Sequence, residues 1–469
     1  GINMIFKYFL KNLSIFTISA FITKLILFLM LPFYTNLLTV NEYGIIDIIS
    51  TTVQLAMPIF TLSITEAIIR FTLDNKDNAH YIIKIALKIF IKGYFFIMLL
   101  SVLSCIILKI NFVYILLFNL YYIFLTLSHI YVYYLKGLEK VKIIGIASII
   151  KVVFLVLLNC LFLIYFKIGI VGYYASAIIS EFINIIILII YKKKFCSLGT
   201  TNEIDYSLEK EMIDYSKHFV VNSISWWVNN ASDKYIVLLF YGTGLTGIYS
   251  VSYKIPTIIE FVQSIFSQAW QISAIKEYKD KESVGFFSAM YNYYNLILIF
   301  VVYGILLFLK LIAHFLFAKD FYIAWKYVPF LLLAILFGAL SGFLGTIYAA
   351  NKDSKMYAKS TIIGAILNII LNFILIPIFG AHGAAIATFI SYFVIWILRL
   401  SFMKKYVVLN INHYINSLSY LILIIMSICT IFINSNMLLL LNLIFGFILF
   451  AINFKSFSNV VWGIKKWKK

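Results

Sequence analysis

What most constrains this chain is the recurrence, from one end to the other, of apolar stretches long enough to cross a bilayer. A helix rises about 1.5 Å per residue, so a hydrocarbon core of about 30 Å takes about 20 mostly apolar residues. Fourteen such stretches can be read: 13–38, 45–69, 82–108, 112–135, 143–166, 170–191, 216–240, 246–272, 284–309, 327–350, 358–379, 383–403, 412–433 and 437–454. Composition closes off a water-soluble alternative: 63% of the residues are hydrophobic and 12% charged, where soluble chains run about 45–50% apolar and about 25% charged. In lipid the backbone must satisfy its own polar groups, which makes each stretch a helix. The expected fold class is an all-α polytopic membrane protein of about fourteen transmembrane helices. The first stretch is too long for a signal-peptide core and lacks a small-residue cleavage site, so it reads as a permanent span.

Lysine and arginine set the orientation. One side receives Lys7 and Lys11, then Arg70 to Lys92, Lys136 to Lys142, Lys192 to Lys217, Lys276 to Lys281, Lys352 to Lys359, Arg399 to Lys405 and Lys455 to Lys469. The other receives only Lys109, Lys167, Lys310, Lys319 and Lys326. Cytoplasmic loops carry the basic excess, which places both termini in the cytoplasm. The net charge of +19 is spread over these loops and forms no basic domain, so nucleic acid is not the expected partner. The four cysteines and six histidines show no ligand spacing, and no metal site is expected.

The chain also reads as two halves. The longest cytoplasmic loop, 193–215, is polar and mixed in charge, and lies between spans six and seven. Residues 1–192 would form one six-helix lobe, 216–405 a second, and 406–469 two further helices and a basic tail. Gly169 and Gly380 open spans six and twelve 211 residues apart, and Ser180 and Ser391 keep that lag. Leu158-Asn159 and Leu371-Asn372 recur at 213, and Tyr134 and Tyr348 at 214. An even number of spans per unit gives parallel repeats, with a pseudo-twofold axis along the membrane normal and a central cavity between the lobes.

Several spans keep charges that a lipid-facing helix would not, since a charge at mid-membrane costs at least about 2.5–3.5 kcal/mol. Lys24 lies in the middle of span one. Glu66 and Arg70 are four apart near the cytoplasmic end of span two, where they share a helix face and can pair or gate. Lys151 and Glu181 fall well inside spans five and six, and can join those helices as an ion pair or face a cavity. Span seven carries Trp226, Trp227, Asn229, Asn230, Asp233 and Lys234. Span eight carries Lys254, Pro256, then Glu260, Gln263, Ser264, Ser267 and Gln271 as one polar stripe. The expected substrate-binding set is Lys24, Lys151, Trp226, Asn230, Lys234, Lys254, Gln263 and Gln271. Glu66, Arg70, Glu181, Asp233 and Glu260 are the candidates for ion coupling or gating. No phosphate-cradling glycine loop is present, which argues against an ATP motor in the chain, and no loop is large enough to house a catalytic centre. A transporter is expected, not an enzyme, with no cofactor and no catalytic residue.

In its motifs the sequence resembles the Wzx-type polysaccharide flippases of the multidrug/oligosaccharidyl-lipid/polysaccharide exporter superfamily. The resemblance runs through Leu31-Pro32-Phe33-Tyr34 and Leu37 to Gly44, then Glu66 to Phe71. It continues through Trp226/Trp227 followed by Asp233-Lys234, Gly247 to Tyr249, Tyr253-Lys254-Ile255, and Ala318-Lys-Asp-Phe-Tyr322 to Pro329. Lysine at 234 stands where the family often has arginine, which keeps charge but not shape. The resemblance implies translocation of a polyprenyl-pyrophosphate-linked oligosaccharide from the cytoplasmic to the outer leaflet of a bacterial cytoplasmic (inner) membrane, for O-antigen, capsule or a related polymer. It implies membrane lipid, a polysaccharide polymerase and chain-length machinery as partners; a monomer is the default expectation, with the oligomeric state left open by the sequence. A basic cavity suits an anionic head group, and the carboxylates suit coupling to H⁺ or Na⁺. The alternatives are a multidrug/cation antiporter of the same superfamily, whose cavity should be acidic; a lipid II or sporulation-type flippase of the same fold; and a membrane-embedded polymerase or transferase, which should carry a large external loop.

Overall fold

A computed structural model describes residues 18–19, 21–74, 79–195, 206–264, 266, 283–350, 354–405, 409–433 and 437–467. Among these residues there are helices and no strands. In chain order they are α1 (Phe21–Leu37), α2 (Val40–Phe60), α3 (Ile64–Asp74), α4 (Ala79–Leu108), α5 (Phe112–Gly137), α6 (Val141–Asn159) and α7 (Gly169–Phe195). There follow α8 (Tyr206–Ser252), α9 (Ser283–Leu307), α10 (Leu309–Leu316), α11 (Val328–Ala350), α12 (Ser354–Phe379), α13 (Ala381–Met403), α14 (His413–Phe432) and α15 (Met437–Trp467).

Among the described residues twelve helical stretches are long and apolar enough to cross a membrane. One of them, Tyr206–Ser264, has 59 residues and would reach about 90 Å if straight, about three bilayer cores. It breaks at Gly242, whose φ of 77° and ψ of −175° leave helical geometry. The break falls between the expected seventh and eighth spans, and α1 supplies the first, so the count of about fourteen stands.

Two expected spans are not continuous. Span two divides into α2 and α3 at Thr61–Ser63, where Leu62 and Ser63 take φ near +50°. Pro58, third from the end of α2, has no N–H to continue the ladder. Span eight is interrupted by a turn at 253–256 that ends on Pro256. Pro58, Pro329 and Pro377 lie in the first two or last three residues of a helix, Pro256 lies in that turn, and Pro32 follows a one-residue turn at Met30 inside α1.

The chain forms two compact units, Gly1–Trp227 and Val228–Lys469. In the first, the capping box of Thr39 and Glu42 starts α2: Glu42 accepts from the Thr39 N–H at 2.8 Å and its own N–H reaches Thr39 Oγ1 at 3.2 Å. The Leu37–Gly44 motif is thereby explained as a helix start. Gly169, at φ +48°, completes this corner, since a Cβ there would stand 2.3 Å from Glu42 Oε1. The core joins Ile64 and Ile68 of α3, Ile82 and Ala86 of α4, and Tyr122 and Tyr134 of α5. Leu208 and Met212, in the first turns of α8, pack against it. Glu209 locks that docking through Lys88 at 2.6 Å and Lys92 at 3.6 Å. The Lys88 hydrogen bond, followed by the two lysine charges, holds this carboxyl below its ordinary range against the opposing effect of burial.

In the second unit α11 is central: 78% of its apolar window is buried, against 17% for α4 of the first unit, as expected of a helix that is apolar all round. α13 packs on both α11 and α12. Gly383 permits a close backbone approach of α13 to α12, since a Cβ there would meet the Leu375 carbonyl oxygen at 2.3 Å. The same arrangement recurs in the first unit, where α7 packs on both α5 and α6. Gly169 and Gly380 both take left-handed φ, and Asn159, Asn372, Ser180 and Ser391 are all buried. Of the last two helices, α14 joins α9 through Tyr420 and Asn295 at 2.8 Å, and α15 joins α14 through Asn453 and Ser419 at 3.0 Å.

Candidate functional site

A dense polar cluster inside apolar helices lies in the second unit, on α8, α12 and α13. Asp233 is 1% exposed. Its Oδ2 accepts from Tyr249 Oη at 2.7 Å, from Thr388 Oγ1 at 3.2 Å and from Tyr253 Oη. Its Oδ1 accepts from the Lys234 N–H at 2.9 Å. The two tyrosines are four apart and so share one face of the chain beyond the Gly242 break, turned back on the first part of α8. Lys234 Nζ stands 5.1 Å from the Tyr253 ring centre. Four hydrogen bonds thus converge on one buried carboxylate, and removing it would leave buried donors unpaired.

Around Asp233 the amides continue the network. Asn368 donates to Thr388 at 3.4 Å and accepts from Ser232 at 3.1 Å and Asn372 at 2.8 Å. Asn372 Oδ1 is buried without a hydrogen-bond partner. Asn230 accepts from Tyr392 Oη at 2.7 Å, and Asn229 donates to the Thr361 carbonyl at 3.3 Å. The polar face read on span seven is therefore turned into the helix bundle. Among the described residues no cluster of His, Cys, Asp and Glu has the makings of a polydentate metal site.

A second cluster lies in the first unit. Lys151 Nζ on α6 pairs with Glu181 Oε1 on α7 at 3.0 Å, with side chains 26% and 8% exposed. Of the two readings of these residues, the interhelical pair is present. Trp227 donates from its indole to the Thr51 carbonyl at 2.8 Å, whereas Trp226 is exposed.

The remaining expected residues are more dispersed. Lys24 is exposed on α1. Lys254 sits half-buried in the turn after α8, Glu260 is exposed, and Gln263 packs its amide 2.9 Å from where a Cβ on Gly342 would be. Gln271 and Ser267 lie outside the described residues, so the polar stripe is seen only through Ser264. Arg70 does not make the ion pair with Glu66 that their spacing allowed. It pairs with Asp74 at 3.1 Å in the exposed last turn of α3. The break at Thr61–Ser63 makes Glu66 a first-turn residue of a separate helix, where a carboxylate is favoured by the helix dipole.

A buried charge in α13 escaped the sequence. Arg399, assigned to a cytoplasmic loop by the basic-residue count, is 5% exposed within α13. Its guanidinium donates to Ser360 Oγ at 2.9 Å, the Ser341 carbonyl at 2.8 Å and Thr361 Oγ1 at 2.8 Å, and stacks 4.2 Å from the Tyr357 ring centre. It thus ties α11, α12 and α13 together. The signal was available, since Arg399 lies inside the apolar stretch 383–403.

Comparison with known proteins follows this geometry. The family model described as "Polysaccharide biosynthesis protein" matches residues 9–271, more than half of the chain. The model "Lipid II flippase MurJ" matches residues 319–452. A "Probable low-salt glycan biosynthesis flippase Agl15" of Haloferax volcanii is 29% identical over 210 residues, 44% of each chain. An uncharacterized membrane protein of Methanocaldococcus jannaschii is 49% identical over 47 residues, 10% of this chain and 9% of that one. The matched part thus spans less than half the length of these curated relatives. Among solved structures, lipid II flippase MurJ in an inward closed conformation aligns with a TM-score of 0.68 and 16% identity, covering 95% of this chain and 98% of that one. An inward-facing multidrug resistance MATE family transporter of the MOP superfamily aligns at 0.62 and 13%, covering 82% and 94%. The fold is therefore the one shared by MurJ and the MATE transporters.

Proposed function

Since this multi-pass membrane chain belongs to the polysaccharide biosynthesis protein family, we propose that it is a flippase for polyprenyl-pyrophosphate-linked oligosaccharide units. It moves them from the cytoplasmic to the outer leaflet of a cytoplasmic membrane, with both of its termini inside. The product feeds an O-antigen, capsule or related surface glycan. The observation that carries this reading is the placement of ionisable residues deep in apolar helices: Asp233 and Lys234 in one unit, Lys151 and Glu181 in the other. A carrier for organic cations would line its path with acids. Here the bases Lys24, Lys151, Lys234 and Lys254 suit an anionic pyrophosphate and acidic sugars, by attraction across a low-dielectric medium. The flippase name of the Haloferax volcanii relative supports the same class.

Coupling to an ion gradient belongs to this proposal. Asp233 Oδ2, Thr388 Oγ1 and the amide oxygen of Asn368 belong to one hydrogen-bonded network that Asn372 joins with an unpaired acceptor, which suits H⁺ or Na⁺. Taking up either would compete with the tyrosine hydroxyls and alter the hold of α13 on α8.

The test is depletion in the native host. Surface glycan should fall and lipid-linked units should accumulate on the cytoplasmic leaflet. Wild type should restore both, and Lys24→Ala, Lys234→Ala and Lys254→Ala should each restore less while remaining in the membrane. Full restoration by all three would remove the basic-path mechanism. Flipping that ignores both pH and Na⁺ would remove ion coupling.

A further inference from the structure

In the first unit a cluster of ionisable groups has a loose end. The Lys151–Glu181 pair satisfies only one carboxylate oxygen. Glu181 Oε2 is buried without a hydrogen-bond partner. One turn along the same face of α7, Asn184 donates to Ser128 Oγ at 2.8 Å, yet its Oδ1 is likewise buried and unpaired. A helix staple needs neither orphan, and each buried unpaired acceptor costs about 1–3 kcal/mol.

Several groups face this pair from the packed helices. α5 contributes His129, next to Ser128 and near enough to feel both charges, and Tyr121. α6 contributes Lys151. α2 contributes Asp47, which acts on Tyr174 further along α7, where Tyr121 and Tyr174 meet edge to edge at 5.2 Å. Glu181 is thus a buried carboxylate with a cation on one oxygen, an imidazole nearby and an empty acceptor on the other oxygen. Lys151 keeps about a quarter of its side chain exposed, so its ammonium can leave the pair without crossing the core.

We propose that Glu181 and Lys151 form a proton-gated oxyanion site. A proton from water adds to the Glu181 carboxylate and makes it neutral. Lys151 keeps its charge, loses its counter-ion, and becomes available to an oxyanion such as a phosphate-bearing head group. The site then carries one positive charge before the anion binds, where the ion pair carries none. By linkage, anion binding at Lys151 tightens proton binding at Glu181 to the same extent, with typical couplings of about 5–150-fold. The proposal rests on the handling of an anionic head group argued above, and places proton and anion on the same unit.

Purified full-length protein in detergent tests it with inorganic sulfate, whose charge does not change across the neutral range. Wild type should bind sulfate about tenfold or more tightly at pH 5.5 than at pH 8, with measurable proton uptake on binding in weakly buffered solution. Glu181→Gln, which mimics the protonated form, should bind at both pH values with the affinity of acidic wild type and without proton uptake. Lys151→Gln should bind weakly at both. Sulfate binding independent of pH in wild type, or unchanged in Lys151→Gln, overturns the proposal. Proton uptake is read on wild type alone, so a variant that fails to fold does not block the test. No glycan is needed, so loss of the flippase reading and loss of this one give different results.

Discussion

Replacing Asp233 by alanine removes the acceptor on which three hydroxyls converge. Tyr249 is fully buried and Thr388 is 2% exposed, so neither can turn to water, while Tyr253 is half-buried. Each buried donor left unmade costs about 1–3 kcal/mol. Tyr249 and Tyr253 lie 3.3 Å apart and can bond one another once the carboxylate is gone, which recovers one of the three. Removing the carboxylate also relieves its own desolvation, a gain offset by leaving the nearby Lys234 charge uncompensated. The net expectation is a loss of about 2–4 kcal/mol. It can be read from reversible unfolding in mixed micelles, followed by tryptophan fluorescence. Replacing both sides of a buried hydrogen bond by apolar groups of similar shape is close to neutral. The triple variant Asp233→Leu, Tyr249→Phe, Tyr253→Phe should therefore recover at least half of that loss while remaining unable to transport. Asp233→Ala within about 1 kcal/mol of wild type would refute the reasoning. A triple variant no more stable than the single one would refute it equally.

Other outcomes follow from the same structure. Arg399→Leu strips three bonds from α11, α12 and α13 and should destabilise the protein by about 2–4 kcal/mol; Arg399→Lys should recover only part, since an ammonium lacks the planar fork. Gly383→Val places side-chain carbon against the Leu375 carbonyl and should cost about 1–3 kcal/mol or abolish accumulation in the membrane, seen as a lower melting temperature or loss of the monodisperse chromatographic peak. Glu209 has its pKa lowered by Lys88 and Lys92, so its contribution is present above the unfolded carboxyl value, near 4.5, and is lost as pH falls through the lower folded value. Glu209→Gln should therefore be less stable than wild type at neutral pH, with the difference closing only in acid; a difference that grows toward acid pH would contradict the pairing.

The fold was largely readable because lipid leaves the chain few choices. Span length and the basic-residue asymmetry are set by the bilayer, and both can be counted. The spans that deviated did so for local reasons the count ignores. Pro58 ends α2 early, and the left-handed pair Leu62 and Ser63 turns the chain into a separate α3. Arg70 then faces Asp74 near the end of a short helix, and the pairing expected from Glu66 does not form. The site was readable in its members but not in its partners. Asp233 and Lys234 stand out as charges in an apolar run, yet the groups that satisfy Asp233 come from positions 16, 20 and 155 residues away.

Arg399 shows where the same counting misleads. A basic residue in the last turns of a span is assigned to the cytoplasmic loop because snorkelling carries most such side chains to the interface. Here the helix neighbours forbid that escape. Ser341, Ser360, Thr361 and Tyr357 surround the guanidinium with neutral acceptors and an aromatic face. Small residues also let α11, α12 and α13 close over it, Gly345 among them, where a Cβ would crowd Tyr357 at 2.6 Å and the guanidinium at 3.4 Å. A lysine or arginine in a span is therefore better judged by the small and hydroxyl residues on the helices packed against it than by its distance from the span's end.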